Sequence, residues 1–401
     1  MYKIILTGAL FLSANSFSAQ PDGEYISRIA DCVACHTIEG GEPMAGGKKF
    51  HTPLGDIYST NITPDMKEGI GAYSYDDFEK AVRRGVAPGG HYLYPAMPYP
   101  SYSKMTDKDI HALYSYFMHD VKASGQKNIP SEIPWVFSPR WPLRIWNRIF
   151  TDAPANTRTP VSRDAELLQR GKYLVEGPGH CGACHTPRGI AQQEKAYDNS
   201  DPAFLSGAMI DGWFAPSLRN SAIPEEELKD LLQKGRSKHS AITGPMAEVV
   251  TQSTQYLTNN DLNAVTAYLL SLNHRVSSPA QKNPAPLSAQ HSENNAGKIL
   301  YFRYCSTCHG VEGKGTDDNV PSLNNNTSVE AEDPSSVIKV IAFGAETPVT
   351  QGNIPYKMPA YHGELSAQEM RDIVNYIRGE WSVNQHPVEQ KEIDEVISKG
   401  P

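Results

Sequence analysis

Beyond its first dozen residues, this 401-residue chain has no apolar run approaching the roughly 18–20 residues that a bilayer crossing needs. The mature chain is therefore expected not to be an integral membrane protein. It has no excess of basic charge. The formal net charge of −8 argues against nucleic acid as a partner. It has no Gly-x-Gly-x-x-Gly and no other dinucleotide signature, so any substrate-oxidising cofactor of that kind is expected on another chain. It also has no cysteine to spare. All six fall in three pentapeptides, Cys32-Val-Ala-Cys-His36, Cys181-Gly-Ala-Cys-His185 and Cys305-Ser-Thr-Cys-His309, which leaves none over for a disulfide.

Cys-x-x-Cys-His is the signal for covalent attachment of c-type haem. Each thiol adds across a vinyl group, and the histidine is held under the iron as its proximal ligand. Two intervening residues let one helical turn place both sulfurs at the porphyrin edge with the imidazole beneath. A thioredoxin-like pair expects a βαβ context and no following histidine. A zinc site needs two such pairs close in sequence, and these are separated by about 120–150 residues, outside the familiar spacings. The expectation is three covalently bound haem c groups, with Cys32, Cys35, Cys181, Cys184, Cys305 and Cys308 as thioether positions. His36, His185 and His309 are then the proximal ligands.

The surroundings of the motifs repeat as well. A short apolar helix leads into each: Tyr25-Ile-Ser-Arg-Ile-Ala, Gly171-Lys-Tyr-Leu-Val and Gly297-Lys-Ile-Leu-Tyr-Phe. Downstream come loops rich in Pro and Asn at 60–64, 216–220 and 321–324, read as turns wrapping the haem rather than strands. A second helix then stops at Gly85, Gly235 and Gly344, read as αL stops. A third starts at a hydroxyl cap three residues before an acid, in Thr106–Asp109, Thr258–Asp261 and Ser366–Glu369, the pattern of a capping box. Ten residues after each cap stands a tyrosine: Tyr116, Tyr268 and Tyr376. Agreement between copies is what an internal repeat looks like. The predicted fold is mainly α, a small helical bundle around each haem.

A haem that only passes electrons needs a second strong axial ligand, and methionine raises its potential. Met97 lies 61 residues after His36, Met246 lies 61 after His185, and Met358 lies 49 after His309. Met97 and Met358 sit in matching settings, Tyr94-Pro-Ala-Met-Pro98 and Pro355-Tyr-Lys-Met-Pro359, where proline stiffens the presenting loop. In Gly244-Pro-Met246 the proline comes before. The alternative for each is a methionine filling a core gap. Met44, Met66, Met105 and Met209 fit no repeated position and read as packing.

The N-terminus reads as a secretory signal: Lys3, the apolar run Ile4–Leu12, then Ser16, Ser18 and Ala19. Export to the periplasm follows from it. The expected organisation is a signal at 1–19, haem domains at 20–125, 161–275 and 291–385, an aromatic and basic linker at 126–160, a Pro-rich linker at 276–290, and a polar tail at 386–401. The linker at 126–160 holds Trp135, Trp141 and Trp146 with Arg140, Arg144 and Arg148 at a spacing of four. It reads either as a helix packed between the first two domains or as an exposed surface meeting a partner subunit or the membrane interface. From residue 288 onward, 9 Lys+Arg face 16 Asp+Glu. That is a solvated acidic face or a docking surface for a basic redox partner.

With these motifs placed, the chain resembles the triheme cytochrome c subunits of bacterial periplasmic dehydrogenases acting on alcohols, gluconate or sorbitol. The resemblance covers roughly residues 22–385. It is carried by Thr60–Pro64, Arg84-Gly85-Val86, Tyr94–Tyr99, Leu113–Phe117, Trp141–Phe150, Gly182–Arg188 and Met246–Val250. It implies three tandem class I cytochrome c-like domains. It also implies an electron-transfer subunit serving a separate dehydrogenase that carries FAD or pyrroloquinoline quinone. The acceptor would be membrane ubiquinone or another respiratory acceptor such as a terminal oxidase, with peripheral membrane association. Some relatives serve molybdenum aldehyde oxidoreductases instead. The polar end of the chain departs from members with a C-terminal membrane-binding segment. Two readings of other classes stand beside this one. One is a self-contained multihaem peroxidase, which would need an open sixth position. The other is a soluble carrier without a dedicated partner.

Overall fold

Thr106, Thr258 and Ser366 each start a helix: Asp107–His119, Asn259–Ser271 and Ala367–Trp381. These elements belong to a computed structural model that describes residues 22–135, 139–151, 163–219, 223–273, 295–316, 319–382 and 386–401. The expected signal at 1–19 and the Pro-rich linker at 276–290 lie outside the described residues. In each closing helix the cap hydroxyl accepts the amide three residues on, which stabilises a helix by about 1 kcal/mol. Each then buries the residues four, seven and eleven after its cap. These are Ile110, Leu113 and Phe117; Leu262, Val265 and Leu269; Met370, Ile373 and Ile377. That spacing is one helical face, and each side chain contributes roughly 1.5–3 kcal/mol on leaving water.

Leading helices Gly23–Ile29, Arg163–Glu176 and Asn295–Tyr304 cross the closing helices. The crossing explains the repeated tyrosine. A Cβ on Gly23 would lie 2.2 Å from Ala112 O and 2.5 Å from the Tyr116 Cβ. A Cβ on Gly171 would lie 1.9 Å from Ala264 O and 2.7 Å from the Tyr268 Cβ. Only glycine lets the two backbones meet there.

The middle helices are Tyr75–Arg84, Glu225–Lys234 and Ser335–Phe343. Gly85 and Gly235 end theirs in the αL region, as expected. Gly344 differs, with φ 76° and ψ 178°. Its chain turns directly into the strand Ala345–Glu346, which pairs with Lys357–Met358, and a Cβ there would sit 2.6 Å from Met358 O. Three further two-stranded hairpins, absent from the sequence reading, flank the helices: Lys49–Thr52 with Gly55–Tyr58, Val86–Ala87 with His91–Tyr92, and Ala208–Ile210 with Trp213–Ala215. The fold is nevertheless mainly α, with one apolar core per unit.

Three expectations change. The acid half of the capping box forms on the closing helix of the third unit alone, where Glu369 accepts from the Ser366 amide. In the first unit Asp109 accepts from Tyr173 of the second instead, and in the second Asp261 is shared between Arg170 of its own unit and Tyr25 of the first. Within 386–401, expected as a polar tail, Gln390–Ser398 is helical and buries Ile393 and Val396 on the third core. Met44 and Met105 are buried packing residues, but Met66 and Met209 are exposed.

Candidate haem-attachment sites

Each Cys-x-x-Cys-His folds as a helical turn following a leading helix: Cys32–His36, Gly182–His185 and Ser306–His309. All six thiols are free, and among the described residues no three His, Cys, Asp or Glu gather as a metal-binding group. Burial pushes the thiols of Cys32, Cys35 and Cys181 up to about 12, and those of Cys184 and Cys305 up to about 11. A thioredoxin-like pair has the opposite shift. Cys308 is the exposed member of the six.

The Pro and Asn loops do more than turn the chain. His36 Nδ1 lies 2.6 Å from Thr60 O, His185 Nδ1 lies 2.8 Å from Pro216 O, and His309 Nδ1 lies 3.2 Å from Pro321 O. A carbonyl can only accept, so each Nδ1 carries the proton and each Nε2 keeps its lone pair. That is the arrangement that orients an imidazole for a metal and raises its basicity as a ligand. Burial lowers the pKa of all three histidines, against the pull of these carbonyls, and keeps the rings neutral. The residues therefore fit c-type haem: two thiols on one turn and a neutral imidazole with its iron-binding nitrogen fixed.

The three methionines each pack on the core of their own unit. Met97 shares its cluster with Cys32, Met246 with Cys181, and Met358 with Cys305. Their presentation differs. Met97 lies in a loop before the turn Tyr99–Tyr102, and Met358 lies on a two-residue strand. Met246 is the second residue of helix Pro245–Gln252, not part of a loop. Pro245 takes the first helical position, where its missing N–H costs nothing, which accounts for proline standing before that methionine.

Several residues near the motifs had no signal in the sequence. Tyr102 donates to Ala30 O at 2.6 Å, and its ring meets His180, beside Cys181, edge-on at 5.6 Å, so the first two motifs approach each other. Asp31 precedes the first motif. Its carboxyl is pushed up to about 8 by burial, with Glu248 adding and Lys48 opposing. Glu194 faces Gly182, whose Cβ, if present, would lie 2.5 Å from its Oε2. Burial pushes that carboxyl up to about 7 against Arg188 and Lys104.

The first two units also exchange equivalent tyrosines. Tyr25 donates to Asp261 at 2.7 Å and accepts from the Thr258 amide. Tyr173 donates to Asp109 and accepts from the Thr106 amide. Both tyrosines stand two residues after the glycine of a leading helix. The relation is therefore reciprocal, leading helix to neighbouring cap in each direction.

A family model described as cytochrome c matches three separate segments, residues 22–119, 168–273 and 295–381. The chain is 44% identical over 405 residues to the cytochrome c subunit of a quinone alcohol dehydrogenase from Gluconacetobacter polyoxogenes, covering 94% of this chain and 86% of that one. It is 44% identical over 407 residues to the gluconate 2-dehydrogenase cytochrome c subunit of Pantoea cypripedii, covering 95% and 91%. It is 32% identical over 441 residues to the fructose dehydrogenase cytochrome subunit of Gluconobacter japonicus, covering 98% and 89%. No helix among the described residues is long and apolar enough to cross a membrane.

Proposed function

The chain belongs to the cytochrome c family, and from that premise we propose that it is the electron-transfer subunit of a periplasmic dehydrogenase complex. Its partner would carry FAD or pyrroloquinoline quinone and oxidise an alcohol, a polyol or a sugar acid. The acceptor would be ubiquinone or another respiratory carrier, reached after export directed by residues 1–19. Haem, when bound, would supply one-electron exchange.

The protein's part is to hold and insulate. Cys32 and Cys35, Cys181 and Cys184, and Cys305 and Cys308 form the thioethers. His36, His185 and His309 would hold the iron through Nε2, and Met97, Met246 and Met358 would supply its second protein ligand. The observation that carries this reading is the Nδ1-to-carbonyl bond made three times from three equivalent loops. It fixes the tautomer before any iron arrives. A histidine and a methionine together would suit a relay and not a peroxidase.

The test is purification of the tagged chain from its native periplasm and membranes. Three haems per chain, together with a flavin- or quinone-containing dehydrogenase that reduces them, is the expected result. A cytochrome that comes down alone and turns over hydrogen peroxide would overturn the reading. Replacing Met97, Met246 or Met358 singly with Ala is expected to lower the potential of one haem by on the order of 100 mV or more, read by redox titration. An unchanged titration would remove that methionine from the ligand set.

A further inference from the structure

Lys339 is the one buried lysine among the described residues, 1% exposed on the middle helix Ser335–Phe343 of the third unit. Its neighbours Ile338 and Ile341 face their own core, but its ammonium reaches into the second unit. There it donates to Asp211 O at 3.3 Å and lies 5.3 Å from the centre of the Trp213 ring. A Cβ on Gly212, between those two residues, would lie 3.2 Å from the nitrogen, so the hairpin turn closes over it. Arg378, the other buried cation of this unit, is held by Ala331 O at 2.8 Å and Val329 O at 3.2 Å. Lys339 has less. An ammonium carries three N–H groups, and one carbonyl and a ring face satisfy it only in part. The charged groups that act on it, Asp211 and Lys399, are opposite in sign and exposed, and neither forms an ion pair with it. A buried charge in that position is costly unless an anion meets it.

The hairpin around Lys339 borders the second haem site. Its first strand follows Gly207, whose amide donates to His185 O at 2.8 Å. On its second strand the Trp213 ring packs against Gly244, two residues before Met246. Ser336 pins the hairpin from the third unit, accepting from the Phe214 amide at 3.0 Å. A haem brings two carboxylates of its own, its propionates. We propose that Lys339 reaches across the junction as counter-ion to a propionate of the second unit's haem, and that its fixed charge raises that haem's potential. This rests on the haem reading above. The third unit's own haem is the rival claimant, but the ammonium turns away from its own core and into the neighbour's hairpin. A nearby cation favours the reduced, less positive state of the iron. The third unit thereby tunes the second.

Redox titration of the full holo-protein tests this. The second haem is identified by the step that Met246→Ala moves or, failing a shift, by the step that Cys181→Ala with Cys184→Ala deletes. Lys339→Met keeps the length of the side chain and removes the charge. It is expected to lower that haem's reduction equilibrium about tenfold, about 59 mV for one electron, and to leave the other two in place. It is also expected to lower the denaturant midpoint, because it strands a buried carboxylate, whereas removal of a lone buried charge would raise it. Ser336→Ala loosens the same junction without touching the charge and is expected to leave all three potentials where they are. An unmoved second haem, a shift confined to the third, an equal shift from Ser336→Ala, or a raised midpoint would each overturn the proposal. A wild-type chain that carries no covalent haem would overturn the proposed function as well, and the haem count reports that before any variant is made.

Discussion

The junction between the first and second units is built from carboxylates, and the junction between the second and third is not. Across the first, Tyr25 reaches Asp261, Tyr173 reaches Asp109, and Lys48 and Lys104 pair with Glu248 and Glu176. Across the second, Asn326 donates to His239 O, the Thr327 amide to Ser240 Oγ, and Arg236 to Ile354 O. No ion pair crosses it among the described residues. The burial of charge follows the same division. The buried carboxylates among the described residues, Asp31, Asp109, Glu176, Glu194 and Asp261, all lie in the first two units, beside one buried cation, Arg83, whereas the third buries only the cations Lys339 and Arg378. One helical module, written three times, has acquired two kinds of edge. A paired edge draws on the acid of the closing-helix cap. An unpaired cap keeps that acid for itself.

Asp261 is where the comparison breaks most readily, because Arg170 and Tyr25 both depend on it. Asp261→Ala leaves a half-buried guanidinium and a phenol without their acceptor. It is expected to cost about 2–4 kcal/mol in the denaturation of the first two units. Limited proteolysis should then release the first unit while the second and third stay joined. Release of the third unit instead would mean the junctions have been ranked wrongly.

Acid should act the same way. Burial raises the Asp261 pKa, but the bonds from Arg170 and Tyr25 outweigh it and hold the group below its usual value. A depressed carboxylate stabilises the fold above its unfolded pKa and loses that contribution as pH falls through its folded value. The first junction should therefore weaken below about pH 4, while the second, which no ion pair crosses among the described residues, should weaken less. Small-angle scattering across that range would separate the two.

Glu194 has the opposite sign. Its folded pKa is raised to about 7, so its contribution is complete below the unfolded value and is lost as pH rises through the folded one. Glu194→Gln should flatten the decline in stability between about pH 4.5 and pH 7, a fall worth on the order of 3 kcal/mol. Parallel curves for variant and wild type would show that the carboxyl is solvated.

What the sequence disclosed is what recurs within a unit. The Cys and His spacings, the hydroxyl caps and the tyrosine ten residues on are local, and three copies checked one another. The buried stripe at four, seven and eleven residues after the cap follows from the same helical period. The hairpins were missed because strands of two to four residues carry too little alternation to register. The destination of Asp109 and Asp261 was missed for another reason. Their partners lie 64 and 236 residues away, and a cap acid looks the same whether it bonds its own helix or a neighbour. Tyr25 and Tyr173 were visible only as members of apolar helices. Their equivalence emerges once Gly23 and Gly171 are seen at the helix crossings.

The smallest effect sharpens the comparison most. Glu369 occupies the position of Asp109 and Asp261 but accepts from the Ser366 amide and hydroxyl. Glu369→Ala therefore removes half of a capping box on an exposed helix start, worth about 0.5 kcal/mol, and should leave the arrangement of the units intact. The same change at Asp109 removes the acceptor of Tyr173 across the junction and should cost about 1–2 kcal/mol, with the first unit loosened. Denaturant midpoints of the two variants measure the difference directly. Equal losses would mean that the acid works only as a helix cap in every copy, and that the reciprocal tyrosines follow the packing of the first two units and do not help to create it.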